Sequence, residues 1–329
     1  MPARSGRPRA PSKLRAARAG VLAAVVLAAA GARGDVAGPA VQLAALTPAD
    51  DARHAIAIGR HGEIYEPDGH GGWVHRLPCS LVDPVTAVGR AGSQVLAQGD
   101  GVIYRLAGNG WSAIRVVPHG KTILGRGARA LAAVGNQLFA LDGPAGRAPI
   151  RVAQAPTDIL AIGAGPGAIV IATEAGVLRR IGATWLPLSI GPGRPRLASE
   201  RWAIDDHGAI EVTTGKRTAW PPGLAIDITG AAPGGALVAV GPGPAGLELV
   251  TLGGGRIARD PLGVSGTPVG VVLDRAGRAV VALADGRLAV RTRAIWSIVT
   301  VTEAPAPDRP GAAPARSEQI TETSAADPR

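Results

Sequence analysis

The chain has 329 residues, which suits one large domain or two ordinary ones. Hydrophobic residues make up 46% and aromatics only 3%, with 47 Gly and 28 Pro, so a wholly disordered chain is excluded and many short strands joined by tight turns are expected. The net charge of +10 owes much to Arg4, Arg7, Arg9, Lys13, Arg15 and Arg18; past residue 32 the balance is 29 basic against 25 acidic residues, interspersed, so no nucleic-acid partner is expected.

Residues 1–18 are basic and rich in Pro and Arg. Ala19 to Ala32 is an uncharged run ending in the small-x-small pattern Ala30-Gly31-Ala32. This is the order of a secretory signal peptide over 1–32, followed by a spacer over 33–39. The run is shorter than the ~20 apolar residues of a spanning helix, so no stable membrane span is expected after cleavage. An uncleaved N-terminal anchor is the alternative. No Arg pair precedes the run and no cysteine follows it closely, which argues against twin-arginine export and a lipoprotein. The address is therefore secreted or periplasmic. The single cysteine, Cys79, forms no intramolecular disulfide and reads as a small residue in an inter-repeat loop.

From residue 40 to 301 two markers recur. A glycine opens a short alternating strand at Gly62, Gly101, Gly176, Gly208, Gly246 and Gly286, with Asn136 in third place, a period of about 37 residues. Asp100-Gly101 and Asp285-Gly286 are hairpin signals, because the tight two-residue turns need positive φ. The second marker is tryptophan: Trp73, Trp111, Trp185, Trp220 and Trp296 follow those glycines by nine to twelve residues. The missing positions fall near Arg147 and Arg256, and Trp202 lies outside the series.

The second copy shows one unit: strands around Val85–Val88 and Gln94–Ala97, then Val102–Leu106 after the Asp-Gly turn, then Trp111–Val117 after Gly108-Asn109-Gly110. Four short antiparallel strands with two apolar faces are unstable alone. Stacking such sheets around an axis buries both faces and leaves only short edges. The fold expected over 40–301 is all-β: a single β-propeller of about seven four-stranded antiparallel blades. In each copy that has it, the tryptophan is the large ring placed to pack on the neighbouring blade. Residues 302–329, rich in Pro and Ala, read as a disordered tail.

These units, with a Gly-led third strand and a Trp after a Gly-rich turn, resemble the bacterial β-propeller repeat proteins, including the YVTN, BNR (Asp-box) and WD-repeat superfamilies. The likeness is one of pattern. Glu66-Pro67-Asp68-Gly69-His70-Gly71-Gly72-Trp73 lacks the Ser of an Asp-box and displaces its Gly, and there is no Gly-His…Trp-Asp pair. The resemblance implies the fold and no particular activity.

Four of the six histidines, His54, His61, His70 and His75, crowd the first unit. In a meander, His61 and His70 fall at successive turns, one strand or roughly 17 Å apart, too far to share a metal. Asp205-Asp206-His207 could serve a hydrolase as acid, base or Ca²⁺ ligands, but its register is that of an ordinary second hairpin turn. Gly120-Lys121-Thr122 lacks the leading Gly of a phosphate loop, since Arg115 holds that place. Tyr65 and Tyr104 do not assemble a sialidase set, and no nucleophile elbow or cofactor motif is present. The expectation is a monomeric, non-catalytic scaffold with no cofactor and no metal, binding a protein or glycan partner in the cell envelope. The alternative is a propeller hydrolase or lactonase working at the channel mouth.

Overall fold

The computed structural model describes residues 41–49, 54–77, 81, 83–99, 101–108, 110–116, 121–142, 149–165, 168–188, 195–198, 201–230, 232, 236–244, 246–274 and 277–302. The signal segment, the spacer, Cys79, Asp100 and the tail from 303 lie outside these residues. Ala37–Arg329 forms one compact unit.

Among the described residues every regular element is a strand. Four sequential strands, β1 (Leu43–Pro48), β2 (Ala55–Gly59), β3 (Ile64–Pro67) and β4 (Trp73–Leu77), form the first sheet. The second unit comprises β5 (Ala87–Ala91), β6 (Gln94–Gly99), β7 (Val102–Ala107) and β8 (Gly110–Val116), its strands running up to three residues off the expected bounds. The third contains β9 (Thr122–Leu124), the two-residue β10 (Arg126–Gly127), β11 (Leu131–Val134), β12 (Gln137–Ala140) and β13 (Ile150–Gln154). Then come β14 (Ile159–Ala164), β15 (Ile169–Thr173), β16 (Gly176–Ile181) and β17 (Thr184–Pro187). The fifth unit is β18 (Pro195–Ala198), β19 (Trp202–Asp205), β20 (Gly208–Glu211) and β21 (Arg217–Ala219). The sixth is β22 (Ile228–Gly230), β23 (Leu237–Gly243), β24 (Gly246–Gly253) and β25 (Arg256–Pro261). Last come β26 (Pro268–Leu273), β27 (Ala279–Leu283), β28 (Arg287–Thr292) and β29 (Ile295–Thr300).

These strands make an all-β propeller. Five of its sheets are separate and four-stranded, where the sequence led us to expect about seven such sheets. The sixth has nine strands in the order β17-β16-β15-β14-β10-β5-β6-β7-β8. Within it, two four-strand meanders are joined by β10, which pairs in parallel with both β5 and β14. The join arises because the chain leaves β9 at Gly125 and runs between the first strands of the units on either side. Arg90 N–H donates to Gly125 O at 3.0 Å, Gly92 N–H to Gly127 O at 2.7 Å and Ala128 N–H to Ala164 O at 2.6 Å.

The first strand of each unit is the channel edge of its sheet and the last is the outer edge. Burial follows that order: β2 and β15 are buried at every position, whereas β25 and β29 alternate half-buried with exposed residues. Apolar side chains from adjacent sheets interleave, as in the cluster of Val238, Val240, Val271 and Val281. Each fully buried Val, Ile or Leu contributes roughly 1.5–3 kcal/mol.

Four channel-edge glycines set how closely neighbouring sheets approach. A Cβ added at Gly89 would lie 2.6 Å from Leu124 Cβ; at Gly127, 2.0 Å from Ala164 O; at Gly230, 1.7 Å from Val271 O; and at Gly270, 2.3 Å from Leu46 N. Each points at the next unit in chain order, and Gly270 points from the last unit to the first. Ring closure thus uses the same backbone approach as the other junctions, reinforced by Leu43 N–H to Ala284 O at 3.2 Å and Val41 N–H to Val301 O at 3.4 Å. Sheet β1–β4 is complete without a strand from the C-terminal end.

Candidate functional site

Channel-edge strands β1, β5, β10, β22 and β26 converge on a cavity of about 350 Å³ at the mouth of the central channel, with Arg201 and Trp202 closing one side. First hairpins surround it, so it opens at the end of the ring that carries the first and third turns of each unit. The walls are largely small and apolar. Edge strands keep backbone polar groups free on their channel side, as the carbonyls of Pro48 and Thr229 show, and bulky side chains are excluded where sheets meet at Gly89, Gly127 and Gly230.

Three arginines line this cavity: Arg90, Arg126 and Arg201. Arg90 is anchored to the wall, donating to Pro48 O, to Ala49 O at 3.2 Å and to Gly92 O at 2.6 Å. Arg201 is held by Glu211, with Nε and Nη2 2.7 and 2.6 Å from Oε1, and its guanidinium lies 5.8 Å from the Trp202 ring centroid. Arg126 differs from both. Its Nη1 crosses the channel to donate to Thr229 O at 2.5 Å. The surrounding protein desolvates the group and lowers its pKa below the usual arginine value. Arginine stays protonated even so, and channel water still reaches the exposed side chain. Among the described residues lining the cavity there is no Asp, Glu or His. A cation held in a constriction by a neutral carbonyl favours an incoming anion.

The glycine markers sit in the second hairpins. Gly62, Gly101, Gly176, Gly246 and Gly286 all have positive φ. Gly208 does not; it is required because a Cβ there would lie 2.4 Å from Thr218 O. The tryptophans sit toward the outer edge. Trp111 Nε1 donates to Gly62 O of the preceding unit at 2.7 Å, and Trp185 Nε1 to Gln154 O at 2.8 Å. Trp73 packs against the cluster around Tyr65 and Val272. Trp220 follows β21 and donates within its own unit to Asp205 O at 3.1 Å. Trp296 has a buried Nε1 without a partner. None of these residues lines the channel cavity.

Asp205-Asp206-His207 forms a clamped turn. The Asp205 carboxylate, fully buried, accepts from His207 N–H and Gly208 N–H at 2.8 Å each and from Arg217 Nη2 at 2.5 Å on both oxygens. Three of the four clustered histidines occupy successive turns of the first unit, and His75 lies in β4, stacked on Tyr65 with ring centroids 5.0 Å apart. Among the described residues no three His, Cys, Asp or Glu side chains group as metal ligands. Three carboxylates titrate below their usual range: exposed Asp68 through the backbone N–H groups of His70 and Gly72, half-buried Glu211 through Arg201 and Thr214, and exposed Asp285 through Arg287.

The channel arginines escaped the sequence reading. Their signal is the pair Gly89-Arg90 and Gly125-Arg126, about one period apart near the starts of the second and third units.

No family model and no curated protein matches the chain. Among solved structures, the chain is similar to the WD40 β-propeller domain of Doa1 (10% identity, TM-score 0.55, 78% of this chain and 94% of that one). It is similar to YCF48 bound to D1 peptide (13%, 0.53, 74% and 90%). A streptogramin B lyase is a third neighbour (13%, 0.57, 75% and 92%). At such identities the likeness establishes one thing, that this chain has a β-propeller fold.

Proposed function

We propose that the chain is a non-catalytic binding module of the cell envelope, exported by its N-terminal signal, which holds a protein partner at the channel mouth. The observation that carries this reading is the cavity itself: small apolar walls with Arg126 set across the channel against a neutral carbonyl. Acid–base hydrolysis needs a carboxylate or imidazole close to the reacting atoms, and the described walls offer guanidinium groups instead. A rigid ring that presents many loops at one end suits partner binding, and one structural neighbour is a propeller with a bound peptide. In this reading the nine-stranded sheet counts as two blades, giving a monomeric ring of seven.

The test is in-cell crosslinking of a tagged full-length chain, followed by mass spectrometry. One envelope protein should recur in the captured material and be lost with Arg126→Gln. If nothing recurs and a substrate screen finds turnover, the hydrolase reading replaces this one.

A further inference from the structure

A second cationic recess lies at the same end of the ring, away from the channel. It is a cleft of about 430 Å³ between the third and fourth units, lined by Arg129, Val152, Gly165, Ala168, Arg180 and Gly182. Arg129 belongs to the β10–β11 connection, which Ala128 N–H ties to Ala164 O at 2.6 Å. Arg180 stands at the end of β16, one residue before Ile181, opposite Trp185 on β17. The backbone turns at Gly165 and Gly182 bring the two arginines to one opening.

Among the described residues no carboxylate neutralises this pair. The described lining contains no carboxylate. Asp142, which follows the strand end paired to Ala130, forms no ion pair with Arg129. Arg180 Nε is buried without a hydrogen-bond partner. A buried guanidinium donor left unpaired is costly, and two positive groups sharing a cleft repel each other. Three other arginines with side chains 26–29% exposed do meet carboxylates: Arg217 meets Asp205, Arg259 meets Glu248 and Arg291 meets Asp260. At Arg129 and Arg180 such a carboxylate is absent among the described residues.

We infer that the Arg129–Arg180 cleft is a binding site for an oxyanion, the chemistry shared by phosphate, sulfate and carboxylate groups. A planar guanidinium presents a fork of donors that fits two oxygens of such a group. The glycines and Ala168 leave room for it to approach. This site goes beyond the channel reading and uses different residues, so either can fail alone.

The experiment is calorimetric titration of the full chain with inorganic phosphate, with sodium acetate as a separate arm. Wild type, Arg129→Gln/Arg180→Gln, Arg129→Lys/Arg180→Lys and Arg126→Gln are compared at fixed ionic strength. The double Gln variant should bind phosphate on the order of tenfold more weakly than wild type or worse, and Arg126→Gln, which removes any anion binding in the channel, should leave the cleft's share of phosphate binding in place. The double Lys variant, which keeps charge and fold but loses the forks, should lie between. Acetate binding with the same ranking would place carboxylates among the ligands; acetate failing where phosphate binds would narrow the class to tetrahedral oxyanions. Equal phosphate affinity in wild type and both double variants, loss with Arg126→Gln alone, or no binding at tens of millimolar, would overturn the inference.

Discussion

Replacing Asp205 with Ala separates a catalytic reading of Asp205-Asp206-His207 from a structural one. The carboxylate has no exposure and accepts two backbone N–H groups and both contacts from Arg217 Nη2. Removing it leaves two turn donors unpaired and strands Arg217, whose side chain is 26% exposed and whose Nη1 is already buried without a partner. Breaking one side of a buried pair costs about 3–5 kcal/mol. Partial exposure of Arg217 puts the expected loss near the lower end, about 3 kcal/mol. For a domain of this size that lowers Tm by roughly 6–12 °C. Thermal and urea unfolding of Asp205→Ala measure it. The double variant Asp205→Ala/Arg217→Met should recover part of the loss, because no guanidinium is then left stranded. A loss below about 1 kcal/mol would refute the clamp and return the turn to candidacy as a chemical site.

Other substitutions test the junctions and caps. Gly230→Ala should destabilise by about 1–3 kcal/mol or more, because its Cβ would lie 1.7 Å from Val271 O. Gly69→Ala has open space and only its positive φ to oppose it, so denaturant midpoints should show a smaller loss. Trp111→Phe forfeits the bond to Gly62 O and should cost about 1 kcal/mol beyond lost area, whereas Trp296→Phe deletes an unpartnered N–H and should be nearly neutral in that respect. The lowered pKa values of Asp68, Glu211 and Asp285 stabilise the fold above the unfolded carboxylate pKa of about 4, and that contribution disappears as pH falls through the folded values. Unfolding of Arg201→Gln followed from pH 6 to 3 should show a shallower acid loss than wild type.

The architecture was legible because each repeat carries its own punctuation. Gly62, Gly101 and Gly286 announce positive-φ turns, and apolar runs such as Ala55–Gly59 announce strands buried on both faces. Local chemistry writes such features into a few adjacent residues. The second-hairpin place of Asp205 follows from its repeat register, but nothing in the neighbouring residues signals that Arg217 meets the carboxylate. The junctions and the channel were hidden for the opposite reason. Gly230 matters because of Val271, Gly270 because of Leu46, and Arg126 because of Thr229, all partners far away in sequence. The link through β10 depends on two residues placed between the flanking units, and no local period marks it.

The central claim is that a partner engages the end of the ring where the channel opens and Arg126 crosses it. Photo-crosslinking side chains placed singly at Ser93 and Lys216, at that end, and at Ala175 and Asp206, on second hairpins, test it most directly in cells producing the full chain. The account predicts one recurrent protein adduct from Ser93 and Lys216, abolished by Arg126→Gln, and none from Ala175 or Asp206. Adducts from the second hairpins alone, or adducts indifferent to Arg126, would contradict it.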